Sequence, residues 1–195
     1  MKTGKIILAS QSPRRRQLLE WAEIPFEVIV AETDESYPPH LSPPEIAMHI
    51  ALNKAIAVKQ NIDNSQSNGN TYTILAADTI VVLGNKIIGK PSGREDAINT
   101  LNSLSGHTHS VITGVCMLSP GKEKLFADET LVEFHPLSQE QIEYYVDKYK
   151  PYDKAGAYAI QEWIGVTGIR SITGDFYNVM GLPVSRVIKE LQTLG

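Results

Sequence analysis

Cysteine is almost absent from this chain of 195 residues, and long apolar runs are absent altogether. The single thiol, Cys116, excludes an intramolecular disulfide, and its apolar surroundings predict a place in a buried strand. No run of 18 apolar residues exists, and the N-terminus lacks the apolar segment of a signal peptide. We therefore expect a cytoplasmic protein without a membrane partner.

Several common catalytic patterns are also missing. The five histidines form neither HExxH nor a cysteine–histidine pattern, which argues against zinc. There is no GxSxG, GxGxxG or GxxxxGK[ST], so the common hydrolase, dinucleotide and P-loop interpretations lack support. The net charge of −4 and the lack of interleaved exposed aromatic residues argue against a nucleic-acid partner. With 42% hydrophobic residues, the composition fits one domain over residues 1–195.

The first stretch with a chemical signature is KIILASQSPRRRQLLE. Ile6–Leu8 predicts a buried strand, and Ser12 with Pro13 predicts the start of a helix. Three cations then fall at the positive end of that helix, where cations are disfavoured: Arg14, Arg15 and Arg16. Together with the hydroxyls of Ser10 and Ser12 they would suit a phosphate. The alternative is a capped surface helix with solvated arginines.

A second signature is the carboxylate of Asp78, in the middle of an apolar strand predicted over Thr73–Leu83. A buried carboxylate is costly without a partner, so we expect a cation, a metal or a perturbed proton affinity. The alternative is a structural role, at a bulge or beside one lysine.

A third signature combines acids with a lysine. A capping pattern at Ser42–Glu45 predicts a helix to about Gln60, with Lys54 at the edge of its apolar stripe. Lys54 either extends to water or points its charge into a cleft. An acidic cluster precedes this helix, either as a solvated loop or as a site for a hard divalent cation: Glu32, Asp34 and Glu35.

Local patterns predict the remaining elements. They are a strand over Phe26–Val30, an exposed loop over Asn61–Thr71, a hairpin turn at Gly84–Lys86, a capping box at Ser92–Glu95 opening a helix to Ser105, antiparallel strands over Ser110–Leu118 and Leu125–His135, a helix from Ser138 to about Tyr149, strand–turn–strand over Gly165–Tyr177, and a helix from Pro183 to about Leu194. Lys90 follows the hairpin, and Asp153, Lys154 and Gln161 lie in a glycine-containing stretch.

These signatures mix cations with carboxylates. A bare anion site would avoid carboxylates unless a metal bridges them to the ligand. The combination therefore predicts a polyphosphate ligand, with arginine and lysine on the phosphate oxygens, and a divalent cation such as Mg²⁺ or Mn²⁺ on the acids.

The motifs behind these signatures resemble the Maf family of nucleoside triphosphate pyrophosphatases. They are LASQSPRR, LAADTIV, GKPSGREDA, LSGHTHSVITGV, DKAGAYAIQ and MGLP, and they occur in this order along nearly the whole chain. The resemblance implies a Maf/ITPase-like α/β fold: an elongated, mixed, twisted sheet flanked by helices, with two lobes around a central nucleotide-binding cleft. It also implies hydrolysis of a nucleoside triphosphate to the monophosphate and pyrophosphate.

The resemblance further implies individual roles. Asp78 is the implied proton acceptor, and a metal is implied near Asp34 and Asp78. The implied determinants of base specificity, in the pattern of the subfamily acting on dTTP and UTP, are Arg14, Thr79 and Gln161. Phosphate contacts are implied for Ser10, Lys54 and Lys90, and the cation and hydroxyl arguments add Ser12 and Lys154 to that set. The sequence does not separate a base from a metal-ligand role for Asp78.

Two functional alternatives remain at this stage. Family members are linked to septum formation, so a nucleotide-binding regulator of cell division with little or no turnover is the main rival. A nucleic-acid-binding module is the other, and a strongly salt-dependent affinity for RNA or DNA would support it. A homodimer is a candidate oligomeric state.

Overall fold

Strands and helices alternate along the chain in a computed structural model that describes residues 5–64 and 72–194. The strands are β1 (Lys5–Leu8), β2 (Phe26–Val28), β3 (Tyr72–Leu83), β4 (Lys86–Ile88), β5 (Thr108–Ser119), β6 (Lys122–Phe134) and β7 (Ile169–Thr173). The helices are α1 (Pro13–Trp21), α2 (Pro43–Asn64), α3 (Arg94–Leu104), α4 (Gln139–Tyr149), α5 (Trp163–Gly168), α6 (Phe176–Met180) and α7 (Val184–Leu194), with a 3₁₀ turn at Ala155–Ala157.

The strands form one mixed sheet in the order β2–β1–β3–β5–β6–β7, and β4 pairs with β3. β1 runs parallel to both β2 and β3, whereas β4 is antiparallel to β3 and β7 is antiparallel to β6. The two-residue turn between β5 and β6 joins antiparallel neighbours, because parallel strands need a much longer crossover. The predicted α/β class with a mixed sheet flanked by helices is confirmed.

The described residues pack into two compact units. Unit 1 draws on Met1–Asp78, Thr113–Asp128 and Gly181–Gly195, and unit 2 comprises Thr79–Ile112 and Glu129–Met180. The boundary therefore falls inside β3, directly after Asp78. The single domain over residues 1–195 and the central cleft stay predictions.

The core of unit 1 forms where α2 packs on the sheet. Ala51, Ala55 and Val58 of this helix are buried against Ile74 and Cys116. Burial raises the pKa of the Cys116 thiol to about 12, so it is an unreactive core residue, as its sequence context predicted.

Helix α2 and the sheet are in close backbone contact at Gly114, in β5. A Cβ atom there would lie 2.2 Å from the backbone carbonyl carbon of Ala47 in α2. Glycine at this position is therefore what allows the helix to approach β5 so closely.

The core of unit 2 includes Val81, Ile88, Val111 and Val132. Helix α4 begins after Ser138, as predicted, and the structure shows a capping box there: the Ser138 hydroxyl accepts from the Gln141 backbone N–H, and the Gln141 side chain accepts from the Ser138 N–H. No helix within residues 5–64 and 72–194 is both long and apolar enough to cross a membrane.

Two local predictions are wrong: the strand–turn–strand over Gly165–Tyr177 and the capping box at Ser92–Glu95. Gly165–Tyr177 forms helix α5, strand β7 and helix α6 rather than two strands. Gly165 is not a turn residue: a Cβ there would lie 1.7 Å from the Ile160 carbonyl oxygen, so glycine permits close backbone packing. At the other site, α3 begins after Gly93, and the Ser92 backbone N–H donates to Asp96 at 2.8 Å instead of pairing with Glu95.

Two element boundaries also differ. β2 ends at Val28 rather than Val30, and α2 continues to Asn64, past the predicted end near Gln60. The first four residues of the predicted loop Asn61–Thr71 are therefore helical. The rest of that loop lies outside the described residues.

Candidate active site

The N-terminal signature forms a hydrogen-bonded group centred on the Ser10 hydroxyl. Ser10 follows β1 and is 7% exposed. Its Oγ accepts from the Ser12 backbone N–H at 3.2 Å and from Arg15 Nη1 at 3.0 Å. Because both acceptor positions of the hydroxyl are used, the Ser10 O–H is left to donate, as a phosphate oxygen requires. Ser12 occupies the predicted N-cap position, although its side chain makes no capping hydrogen bond with the described residues.

Arg15 is the buried arginine of the three. Its Nε donates to the Gly181 carbonyl at 2.8 Å, and the residue is 8% exposed. Burial lowers the pKa of Arg15, while the charges of Asp78 and Glu35 act in the opposite direction. The guanidinium stays charged, since arginine is not deprotonated in proteins. The solvated-surface alternative does not hold for Arg15.

Lys54 joins two carboxylates in unit 1. Its Nζ lies 2.7 Å from Asp78 Oδ1 and 2.7 Å from Glu35 Oε1. The side chains of Lys54 and Asp78 are 19% and 15% exposed, and that of Glu35 is 52% exposed. Lys54 therefore points its ammonium at two carboxylates rather than extending to water. The charges of the same two carboxylates also act on Arg15.

The Asp34 carboxylate is hydrogen-bonded within its own loop. It accepts from the Ser36 backbone N–H at 2.9 Å and the Ser36 hydroxyl at 2.7 Å, a turn typical of aspartate. The hydrogen bonds from Ser36 hold the pKa of Asp34 below its usual value. The carboxylates that meet at Lys54 are those of Asp78 and Glu35, so Glu35 is the member of the acidic cluster that contacts Lys54.

The donor set of this cluster fits a hard divalent cation. Asp78 and Glu35 offer carboxylate oxygens, which Mg²⁺ and Mn²⁺ prefer. Within residues 5–64 and 72–194, no three His, Cys, Asp or Glu side chains gather as a metal centre. A cation held here would therefore take further ligands from outside this cluster.

Unit 2 contains a second polar group around Lys154. Its side chain is 10% exposed, and its Nζ lies 2.8 Å from Asp153 Oδ1 and 3.8 Å from Glu162 Oε1. The Tyr145 hydroxyl of α4 donates to Glu162 and accepts from the Ala159 backbone N–H. Lys154 is thus paired with acids, which sequence patterns did not reveal.

The other predicted residues of unit 2 differ in exposure. Gln161 and Lys90 are exposed, and Thr79 is half-buried. Lys90 lines a cavity of about 210 Å³ with Lys86 and polar side chains of α3. The Gly156 N–H donates to the Gly89 carbonyl at 3.2 Å, so the Lys90 loop contacts the stretch that leads to Gln161.

Comparison with known proteins decides the family. A family model described as Maf-like protein matches residues 5–194. The chain belongs to the Maf family. A dTTP/UTP pyrophosphatase of Parabacteroides distasonis is 48% identical over 193 residues, covering 98% of this chain and 97% of the relative. One of Cytophaga hutchinsonii is 49% identical over 189 residues, covering 97% of this chain and 84% of the relative.

A solved structure, the Ham1 protein of Staphylococcus aureus, is 15% identical and covers 67% of this Maf chain and 71% of its own. Its TM-score of 0.42 is too low to carry an argument.

The structure brings together some predicted residues and adds others. In unit 1 of the Maf protein, Lys54 and Asp78 are in direct contact, and Ser10 joins Arg15. The sequence named Arg15 and Glu35 only as members of the arginine cluster and the acidic cluster, and assigned neither an individual role. The sequence contains a signal for Arg15, because cations are disfavoured at a helix N-terminus and so indicate a partner there. It contains no signal for which acid of residues 32–35 contacts Lys54.

Proposed function

We propose that this Maf protein hydrolyses dTTP and UTP to the nucleoside monophosphate and pyrophosphate. The observation that carries the proposal is the unit 1 cluster: Lys54 forms ion pairs with Asp78 and Glu35, and the charges of these two acids act on Arg15. Cations stabilise the charge on phosphate oxygens during phosphoryl transfer, and carboxylates can hold a metal or a water for it. The relatives described above carry the name dTTP/UTP pyrophosphatase, which supports this substrate class.

Asp78 is proposed as the residue that prepares the attacking water. The reaction breaks the bond between the α-phosphorus and the bridging oxygen, while water attacks the α-phosphorus. A carboxylate within hydrogen-bond reach orients that water and accepts its proton. Lys54 keeps Asp78 placed and offsets negative charge as pyrophosphate leaves. We propose phosphate contacts for Ser10, Ser12, Lys54 and Lys90. Lys154 completes this set, where a phosphate would compete with Asp153 for its ammonium.

A divalent cation would be held by Asp78 and Glu35. The family resemblance favours Asp34, in the same acidic stretch, as a metal ligand. When bound, it would withdraw charge from the phosphate oxygens and lower the pKa of a coordinated water. Glu35 is the better-supported second ligand, because its carboxylate shares Lys54 with Asp78 whereas that of Asp34 is bonded to Ser36.

Base selection is proposed for Gln161, Thr79 and Arg14. The Gln161 amide offers a donor and an acceptor, as the edge of uracil or thymine requires. A pocket built to hydrogen-bond one base rejects another strongly, because its own polar groups would be left unpaired. The C5 methyl of thymine is worth much less, so dTTP and UTP should both be accepted.

The test is pyrophosphate release from dTTP, UTP, CTP, ATP and GTP, with Mg²⁺ or Mn²⁺. Asp78→Asn keeps the shape of the side chain and should lower kcat by roughly 10²- to 10⁴-fold, the usual scale for loss of a general base. Asp63→Asn is the matched control, because Asp63 is an exposed acid at the end of α2 and should leave kcat unchanged. Near-parental turnover by Asp78→Asn would reject the assignment, and binding of dTTP by the parent without any release would favour the regulator alternative.

A further inference from the structure

The stretch that carries Gln161 has a strained backbone. We call Asp153–Glu162 the Gln161 segment. Two consecutive residues in it adopt left-handed backbone angles, Gly156 with φ 73° and Ala157 with φ 57°. For alanine this conformation costs about 1–3 kcal/mol and persists only when the surroundings enforce it. Something must therefore hold the Gln161 segment in place.

One contact that holds the segment is a buried hydrogen bond between His109 and Tyr158. His109 lies in β5 and is 2% exposed, and Tyr158 directly follows the strained pair and is 6% exposed. His109 Nε2 lies 2.7 Å from the Tyr158 hydroxyl. The two rings meet edge to face at 5.5 Å, and both pack on Phe134 of β6, at 5.5 Å for His109 and 5.1 Å for Tyr158.

Further contacts hold the segment on either side of Tyr158. The Ala159 N–H donates to the Tyr145 hydroxyl at 3.1 Å, and the Gly156 N–H donates to the Gly89 carbonyl at 3.2 Å. Tyr158 thus stands between two backbone anchors, and Gln161 follows three residues later.

The polar nature of the pair is itself informative. His109 Nδ1 is buried and has no hydrogen-bond partner among the described residues. A buried group left unsatisfied costs about 1–3 kcal/mol, which an apolar residue stacked on Phe134 would avoid. An apolar residue would fill the space but could not fix the rotation of Tyr158, whereas a directional hydrogen bond does so.

We infer that His109 and Tyr158 are positioning residues for base selection: their hydrogen bond holds the Gln161 segment in its strained conformation, so that the amide of Gln161 is presented in one orientation. The inference depends on the proposed role of Gln161. Burial lowers the pKa of His109 to about 4, so the imidazole is neutral at pH 7 and the hydrogen bond is present under assay conditions.

The test compares hydroxyl removal at Tyr158 with hydroxyl removal elsewhere in unit 2. Tyr158→Phe deletes one oxygen and keeps the ring contacts with Phe134. Thr130→Val is the control, because the buried Thr130 hydroxyl bonds the Asp175 carbonyl and lies outside the Gln161 segment. The readout is the ratio of kcat/KM for dTTP to that for CTP.

We expect Tyr158→Phe and His109→Phe each to lower this ratio roughly tenfold, with kcat for dTTP changed less than about threefold, since one orienting hydrogen bond is lost and the chemistry is untouched. The double variant should be no worse than either single variant, because both remove the same bond. An unchanged ratio in both single variants, or an equal fall in Thr130→Val, would overturn the inference.

Amide hydrogen exchange separates this inference from the proposed function. Tyr158→Phe should raise exchange within residues 155–161 and leave helix α3 as in the parent. If the parent released no pyrophosphate from dTTP, the proposed function would fail, and exchange alone would decide the positioning role. Unchanged exchange in the segment would refute that role whatever the activity.

Discussion

Lowering the pH should destabilise this Maf protein through one buried side chain, His109. The imidazole is 2% exposed, and burial lowers its pKa to about 4, whereas a histidine in an unfolded chain titrates near 6.5. Between these two values the unfolded state binds more protons than the folded state. The free energy of unfolding therefore rises with pH across this window, and the stability is lost as the pH falls through it.

The size of the effect follows from the two pKa values. Each pKa unit is worth about 1.4 kcal/mol, so the full loss below pH 4 is on the order of 3 kcal/mol. By pH 5 the unfolded histidine is already largely protonated and the folded one is not, which corresponds to a loss of about 2 kcal/mol relative to pH 7.5.

The assay is urea unfolding of the parent and of His109→Phe at pH 7.5 and pH 5. Other groups titrate in both proteins, so the quantity to compare is how much more stability the parent loses. We expect the parent to lose about 2 kcal/mol more than the variant, since phenylalanine does not titrate. Equal losses in the two proteins would show that His109 is solvated or protonated in the folded state, and would refute the reasoning.

Three further predictions concern base choice, metal and packing. Gln161→Ala should lower the preference for dTTP over CTP more than it lowers kcat, as measured by pyrophosphate release with each nucleotide, and unchanged selectivity would exclude Gln161 from the base pocket. Glu35→Gln should raise the Mg²⁺ concentration needed for half-maximal turnover, because one anionic ligand is lost, and an unchanged requirement would place the metal elsewhere. Gly114→Ala should lower the free energy of unfolding, measured in urea, by roughly 3 kcal/mol or more, because the added Cβ would lie 2.2 Å from the Ala47 backbone. Gly89→Ala should leave that free energy unchanged, because no heavy atom lies within 4 Å of the added Cβ.

Local sequence patterns predicted most elements of the fold because their causes are local. The Ser12–Pro13 start of α1, the Ser138 capping box of α4 and the turn between β5 and β6 depend on residues a few positions apart. The prediction over Gly165–Tyr177 failed where close backbone packing decides the element: the missing Cβ of Gly165 leaves room for the Ile160 carbonyl, five residues earlier. A glycine required for close approach has the same sequence signature as one required for a turn.

The candidate site also contains residues that local sequence preferences could identify. A carboxylate in the apolar centre of β3 and arginines at the positive end of α1 are anomalies that can be seen without a structure, because each opposes a known local preference. They pointed to Asp78 and to the Ser10–Arg14 stretch.

The sequence by itself determined which kinds of groups this protein needs: a partner for a buried acid, and an anion or a buried acceptor for its clustered arginines. Only the tertiary structure decided which partners they have. Lys54 meets Glu35 rather than Asp34, and Arg15 reaches the Gly181 carbonyl, 166 residues away. The physical reason is that burial cost is a property of one position, whereas an ion pair depends on where separate segments place their side chains to within about 4 Å.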